Sequence, residues 1–165
     1  VLPVLPNAAW FFYGSAPNHL SLREDSPGAG FHAKVFRSPL LPAFLSLLAL
    51  PIAPFLLWPA TAWVLRCFAR ILVKEDAAAL SVDVTELHHY QLCIRKQFVE
   101  FFVDHQSVFH THLCPLGRLG VVIWIDNQYF KLTPEGELGL GFLSTSTSQV
   151  LDVQNLILTK NSGYD

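Results

Sequence analysis

Methionine is absent from all 165 residues, and the chain begins Val1-Leu2-Pro3. We expect from this that a targeting peptide has been cleaved, and that the protein belongs to an organelle or a secretory route. Charged side chains make up only 15% of the residues, against a usual proportion of about a quarter. Apolar side chains make up 52%. This composition favours a small membrane protein over a water-soluble domain of equal length.

Cysteine is also scarce. Cys67, Cys93 and Cys114 are too few and too scattered for a disulfide framework, and three free thiols are favoured over one Cys93–Cys114 bridge. The formal net charge is −2, and no cluster of Lys and Arg accompanies a series of aromatic residues. Nucleic acid is therefore not expected as a partner.

The most prominent feature that is present is an apolar run from Leu40 to Leu65 without one charged side chain. A helix of that length would span the roughly 30 Å hydrocarbon core of a bilayer. Pro51, Pro54 and Pro59 each remove a backbone donor and would kink such a helix. We therefore expect a transmembrane segment over residues 40–65, either one kinked helix or a short re-entrant hairpin.

An amphipathic basic helix is predicted over residues 60–76. Arg66, Arg70 and Lys74 recur at four-residue spacing, and Trp63 precedes them where an interfacial indole is common. This pattern predicts contact with anionic lipid headgroups, cardiolipin among them if the membrane is mitochondrial. Ordinary snorkelling of the cations at the end of a span is the alternative.

The first 39 residues are predicted to form an extended arm rich in proline and glycine. Trp10, Phe11, Phe12 and Tyr13 follow one another in it, without a period of 2 or 3.6. Such a segment cannot close a core of its own, so we expect these rings to lie in a partner's groove or at a membrane interface. The alternative is that they cap the protein's own C-terminal domain.

Residues 80–165 are predicted to be a small β-rich domain. Strands are expected at residues 81–86, at 90–103 and in a meander over 119–143, whose turn Thr133-Pro134-Glu135-Gly136 has Pro and Gly where a tight turn favours them. Together with the apolar run and the basic helix, this predicts a membrane-anchored α+β fold.

The best metal candidate is His110-x-His112-x-Cys114, because alternate residues of a strand point to one face. A fourth ligand could come from His88, His89, Cys93 or His105, but the sequence does not fix the structure of the segments that carry them, so we predict no metal. The chain also lacks a GxGxxG loop, a GxxxxGK[ST] loop and a GxSxG elbow. We therefore predict no catalytic residues, no cofactor and no enzymatic activity.

These features together favour a non-catalytic accessory subunit of a large bioenergetic membrane complex, either a respiratory complex or an ATP synthase. Its partners would be the other subunits and membrane lipid, and its location the mitochondrial inner membrane, with the thylakoid membrane as the alternative. The order of elements also resembles that of mitochondrial transmembrane assembly factors, which implies an assembly role as a second possibility. A His/Cys zinc-binding protein is the third.

Overall fold

The computed structural model describes residues 5–24, 28–40 and 59–160 of the chain. Within these ranges the chain forms strands and one helix. In chain order the elements are β1 (Ala8–Gly14), β2 (Gly30–Arg37), α1 (Pro59–Leu72), β3 (Lys74–Ala79), β4 (Tyr90–Ile94), β5 (Val99–Val103), β6 (Gln106–Thr111), β7 (Gln128–Leu132) and β8 (Leu138–Phe142).

The strands form three small antiparallel sheets. The first sheet has the order β1-β2-β3, the second β4-β5-β6, and the third is the β7-β8 hairpin. In the first sheet β2 lies in the centre, with Phe11 opposite Ala33 on one side and Ala77 opposite Lys34 on the other. Backbone bonds of His19 with Phe130 and Leu132 attach the third sheet to the loop after β1.

The core lies between the first two sheets. Ala33 and Val35 of β2 belong to the same buried cluster as Val99 and Phe101 of β5 and Cys114. These residues alternate along their strands, so each sheet turns one apolar face to the other. The second sheet contributes the larger side chains, and the small Ala33 leaves room for them.

The predicted membrane-anchored α+β fold is wrong: the structure is mostly β-sheet, and α1 is a short helix of 14 residues. At 1.5 Å per residue such a helix covers about 21 Å, which is less than the roughly 30 Å of a bilayer core. No helix in the described ranges has the length and apolar composition to cross a membrane. Residues 41–58 of the predicted transmembrane segment lie outside the described residues.

Several local predictions have clear outcomes. In place of the one strand expected at residues 90–103 the structure has two, Tyr90–Ile94 and Val99–Val103. The turn at Thr133–Gly136 joins β7 to β8 as expected. The strands expected at residues 81–86 and 119–125 do not form. The helix expected over residues 60–76 ends at Leu72, and Lys74 begins β3 instead.

The region predicted to be an extended arm contains two strands of the first sheet. β1 pairs with β2 over its whole length, from Ala8 opposite Phe36 to Gly14 opposite Gly30. The aromatic run lies on β1, where alternate rings point to opposite faces of the sheet.

Candidate functional site

The orientation of α1 is fixed by a buried arginine. Arg66 is 2% exposed, and its guanidinium donates hydrogen bonds to the carbonyl oxygens of Ser21 (2.8 Å), Leu22 (3.1 Å), Arg23 (3.3 Å) and Leu132 (2.7 Å). Burial lowers the pKa of Arg66, yet guanidinium groups remain charged in proteins. The charge therefore holds the loop after β1, the helix and β7 together.

A polar layer continues from this arginine to the first sheet. Lys34 and Glu75 are 1% and 2% exposed, and their charged atoms lie 3.4 Å apart. Glu75 also accepts hydrogen bonds from the hydroxyl of Ser21 (2.9 Å) and the backbone N–H of Leu22 (2.6 Å). Because every charge in this layer has a polar partner, the layer can be buried without a stranded ion.

With Arg66 turned inward, α1 presents apolar side chains to solvent. We call these residues the outward stripe: Trp63, Val64, Phe68, Ile71 and Leu72, all exposed, with Ile71 at 75%. Their spacing of three and four residues places them along one side of the helix. A small protein usually turns such a side to its core, so α1 is oriented opposite to the common arrangement.

The residues predicted to contact lipid do not form one exposed basic face. Arg66 is buried, whereas Arg70 forms an ion pair with Glu24 on the surface. Lys74 is exposed at the start of β3, beyond the end of the helix, and Trp63 belongs to the outward stripe. A lipid contact stays a prediction for Arg70, Lys74 and Trp63, since the hydrogen bonds of Arg66 are directed into the protein.

The aromatic run already has contacts within the chain. The rings of Trp10 and Phe12 are stacked, with centroids 5.7 Å apart, while Phe11 meets Phe101 in the core at 5.1 Å. Tyr13 is 56% exposed. That these four residues bind a partner subunit stays a prediction. The rings of Trp10, Phe11 and Phe12 already pack against other rings of the same chain.

Only two of the three metal candidates are brought together: the rings of His110 and His112 have centroids 5.1 Å apart, and Cys114 does not join them. His110 lies opposite Glu100 on the outer side of the second sheet, and the imidazole Nδ1 of His112 bonds the carbonyl of Gln97 at 3.1 Å. Cys114 lies in the core after the chain has left β6, and burial raises the pKa of its thiol. Within the described residues no group of three or more His, Cys, Asp or Glu side chains could hold a metal ion.

One polar pair, His88 and Asp104, is not evident from the sequence. Asp104 lies in the tight turn between β5 and β6, and its carboxylate bonds His88 Nδ1 at 2.7 Å. The other nitrogen, Nε2, bonds the carbonyl of Asp83 at 3.1 Å. With both nitrogens engaged, this imidazole has no free position for proton transfer, so the pair serves to hold the loop before β4. No sequence motif marks it, because Asp104 and His88 meet only through strand pairing.

No protein-family model matches the chain, and no curated protein or solved structure shows significant similarity to it.

Proposed function

We propose that this chain is a non-catalytic accessory subunit of a larger protein assembly, and that the outward stripe of α1 docks against another subunit. The single observation that carries the proposal is the inverted helix: Arg66 is buried, and Phe68 and Ile71 are exposed. Turning the helix over would leave the carbonyls that Arg66 bonds without their donor, and it would carry Arg70, one turn along on the same side, away from its partner Glu24. The orientation is therefore built into the fold.

The composition of the stripe supports a protein partner. Trp63 and Phe68 are aromatic anchors of the kind that dominate binding energy at interfaces, and Ile71 and Leu72 extend the apolar area around them. Contiguous exposed apolar patches on a monomer commonly mark such interaction sites. The stripe carries no charged or hydrogen-bonding group apart from the indole N–H of Trp63, which fits burial against another apolar surface.

The finer proposal concerns the assembly itself. A respiratory or ATP synthase complex of the mitochondrial inner membrane, or a thylakoid complex, is proposed because the low charged and high apolar content of the chain, 15% and 52%, suits a subunit covered by apolar neighbours. An assembly factor would share the docking surface and differ in leaving the complex when it is complete. A transmembrane anchor is not part of this proposal.

The test compares two variants of the full chain on native gels after mild detergent extraction. Phe68→Glu with Ile71→Glu places two charges in the stripe, whereas Leu87→Glu places one on an exposed loop residue outside it. We expect wild type and Leu87→Glu to migrate with a large complex, and the double variant to migrate as a folded monomer. Retention of the double variant in the complex would contradict the proposal, as would a wild type found only as a homodimer.

A second measurement separates a partner from a segment of the same chain. Hydroxyl-radical footprinting should oxidise Trp63 and Phe68 readily in the isolated protein and weakly in the complex. Protection in the isolated protein would mean that another part of the chain covers the stripe, and the docking role would be lost. The completed complex distinguishes an assembly factor from a subunit, because only a subunit remains bound to it.

A further inference from the structure

Two cations face each other at the end of the first sheet. The register of β2 and β3 places Arg37 directly opposite Lys74, and both side chains are exposed. Opposed residues of an antiparallel pair point to the same face with Cβ atoms about 5 Å apart, and like charges there destabilise the pairing. The negative end of α1 just before Lys74 favours a cation at that position, but it gives no reason for a second one at Arg37.

Neighbouring carboxylates do not neutralise this pair. The carboxylate of Glu75 already accepts hydrogen bonds from Lys34, Ser21 and Leu22. Asp76 accepts hydrogen bonds from Arg23 at 3.0 Å and from the hydroxyl of Thr111 at 2.6 Å. In the part of the chain that the structure describes, neither Arg37 nor Lys74 forms an ion pair.

The two cations line a cavity of about 340 Å³. Its other lining residues are Ser38, Pro39, Leu72 and Leu116. The volume falls at the lower end of the range for small-molecule sites, roughly 300–1,000 Å³. The hydroxyl of Ser38 already donates to the carbonyl of Pro6 at 2.8 Å, so the cations are the groups left to recognise a ligand. The lining thus combines two cationic side chains with three apolar ones.

We infer that Arg37 and Lys74 bind the anionic head of a small amphipathic molecule, a phosphate ester or a carboxylate whose short apolar tail lies against Pro39, Leu72 and Leu116. The head bridges the two cations and relieves their repulsion, and charge-assisted hydrogen bonds from both supply most of the recognition. This site uses one residue of the outward stripe, Leu72, but does not depend on a partner subunit.

The test is calorimetric titration of the full-length protein with three probes: hexyl phosphate, inorganic phosphate and hexanol. Hexyl phosphate should bind most tightly, because it alone satisfies both sides of the cavity. Arg37→Gln and Lys74→Gln should each weaken its binding about tenfold, as expected for the loss of one charge-assisted hydrogen bond. Lys96→Gln is the matched control, since Lys96 is an exposed cation in the turn between β4 and β5.

Thermal unfolding provides a second readout. Hexyl phosphate should raise the melting temperature of wild type and Lys96→Gln, but not that of the Arg37→Gln, Lys74→Gln double variant. Without any ligand that double variant should melt at or above wild type, since the repulsion is gone. Equal binding to wild type and the double variant would overturn the site. Inorganic phosphate as tight as hexyl phosphate would overturn the apolar half of it.

Discussion

The two faces of β2 are buried by different means. On one face Ala33 and Val35 pack in the apolar cluster of the core, and volume alone decides the fit. On the other face Lys34 and His32 are each 1% exposed: Lys34 contacts Glu75 and the carbonyl of Leu20, and His32 contacts the carbonyl of Ala29. β2 is thus buried on both faces, with apolar side chains on one face and a charged side chain on the other.

The difference lies in what each face demands of the rest of the chain. The apolar face needs side chains of suitable size, which the second sheet supplies. The polar face needs specific partners from distant segments: Glu75 from β3, the carbonyl of Leu20 from the loop after β1, and Arg66 from α1 nearby. We therefore expect the polar face to fix the position of the helix, and with it the outward stripe.

The largest effect is expected at Glu75. Glu75→Ala would leave Lys34 charged and buried, and it would remove the acceptor of Ser21 and of the Leu22 N–H. Removing one partner of a buried ion pair costs about 3–5 kcal/mol. Urea denaturation should show this loss, while Glu86→Ala, at an exposed loop residue, should stay within about 0.5 kcal/mol of wild type.

A double-mutant cycle sharpens this comparison. Lys34→Met with Glu75→Gln removes both charges and keeps an amide oxygen that can accept from Ser21. The matching single variants are Lys34→Met and Glu75→Gln, and we expect a coupling energy of about 1 kcal/mol or more between the two sites. If the losses of the two single variants simply add, Lys34 and Glu75 do not stabilise each other.

The next largest effect separates two arginines on the same helix. Arg66→Gln leaves several buried carbonyls without a donor and should cost about 2–3 kcal/mol. Arg70→Gln breaks only a surface ion pair with Glu24 and should cost about 0.5 kcal/mol or less. Thermal unfolding of both variants checks the ratio. Equal losses would mean that Arg66 does not anchor α1.

Local patterns predicted some of the strands whose neighbours are close in sequence. β7 and β8 follow from alternation around the Pro134–Gly136 turn. The aromatic and β-branched content of residues 90–103 predicted one strand where the structure has the β4–β5 hairpin, and β6 was not predicted. β1 was missed because both of its faces are covered: Phe11 lies in the core, and Trp10 meets Phe36 and Trp124 on the other side. Strands covered on both faces lose the alternation that identifies a strand.

The surface of α1 could be predicted only in part. Periodicity divides a helix into a basic and an apolar side, and both sides exist here. It does not say which side turns inward. The inward side is determined by the backbone carbonyls of Ser21, Leu22 and Leu132, which accept from Arg66 and would be present with any side chains at these positions. It is also determined by Glu75 of β3, which bonds the same loop at Leu22. The Arg37–Lys74 pair could not be predicted from the sequence either, because only the register of β2 and β3 places the two residues opposite each other.

The smallest expected effect concerns pH and contrasts two histidines. Burial lowers the pKa of His32, whose Nε2 bonds the carbonyl of Ala29 while its Nδ1 has no partner among the described residues. The hydrogen bond with Asp104 raises the pKa of His88. Below about pH 6.5 the unfolded chain therefore takes up a proton at position 32 that the folded protein does not, and stability falls as pH falls. His88 acts in the opposite sense: its contribution is complete below that pH and is lost as pH rises through its raised pKa.

Urea midpoints at about pH 7.5 and about pH 5.5 test both signs, because the two values bracket the ordinary histidine pKa. The drop in midpoint between them should be smaller in His32→Gln than in wild type, and larger in His88→Gln. His19, whose pKa is also lowered by burial, is present in all three proteins and contributes the same background to each. A His32→Gln variant with an unchanged drop would show that this ring is protonated inside the folded protein, and the polar face of β2 would then carry an additional charge that Glu75 must balance.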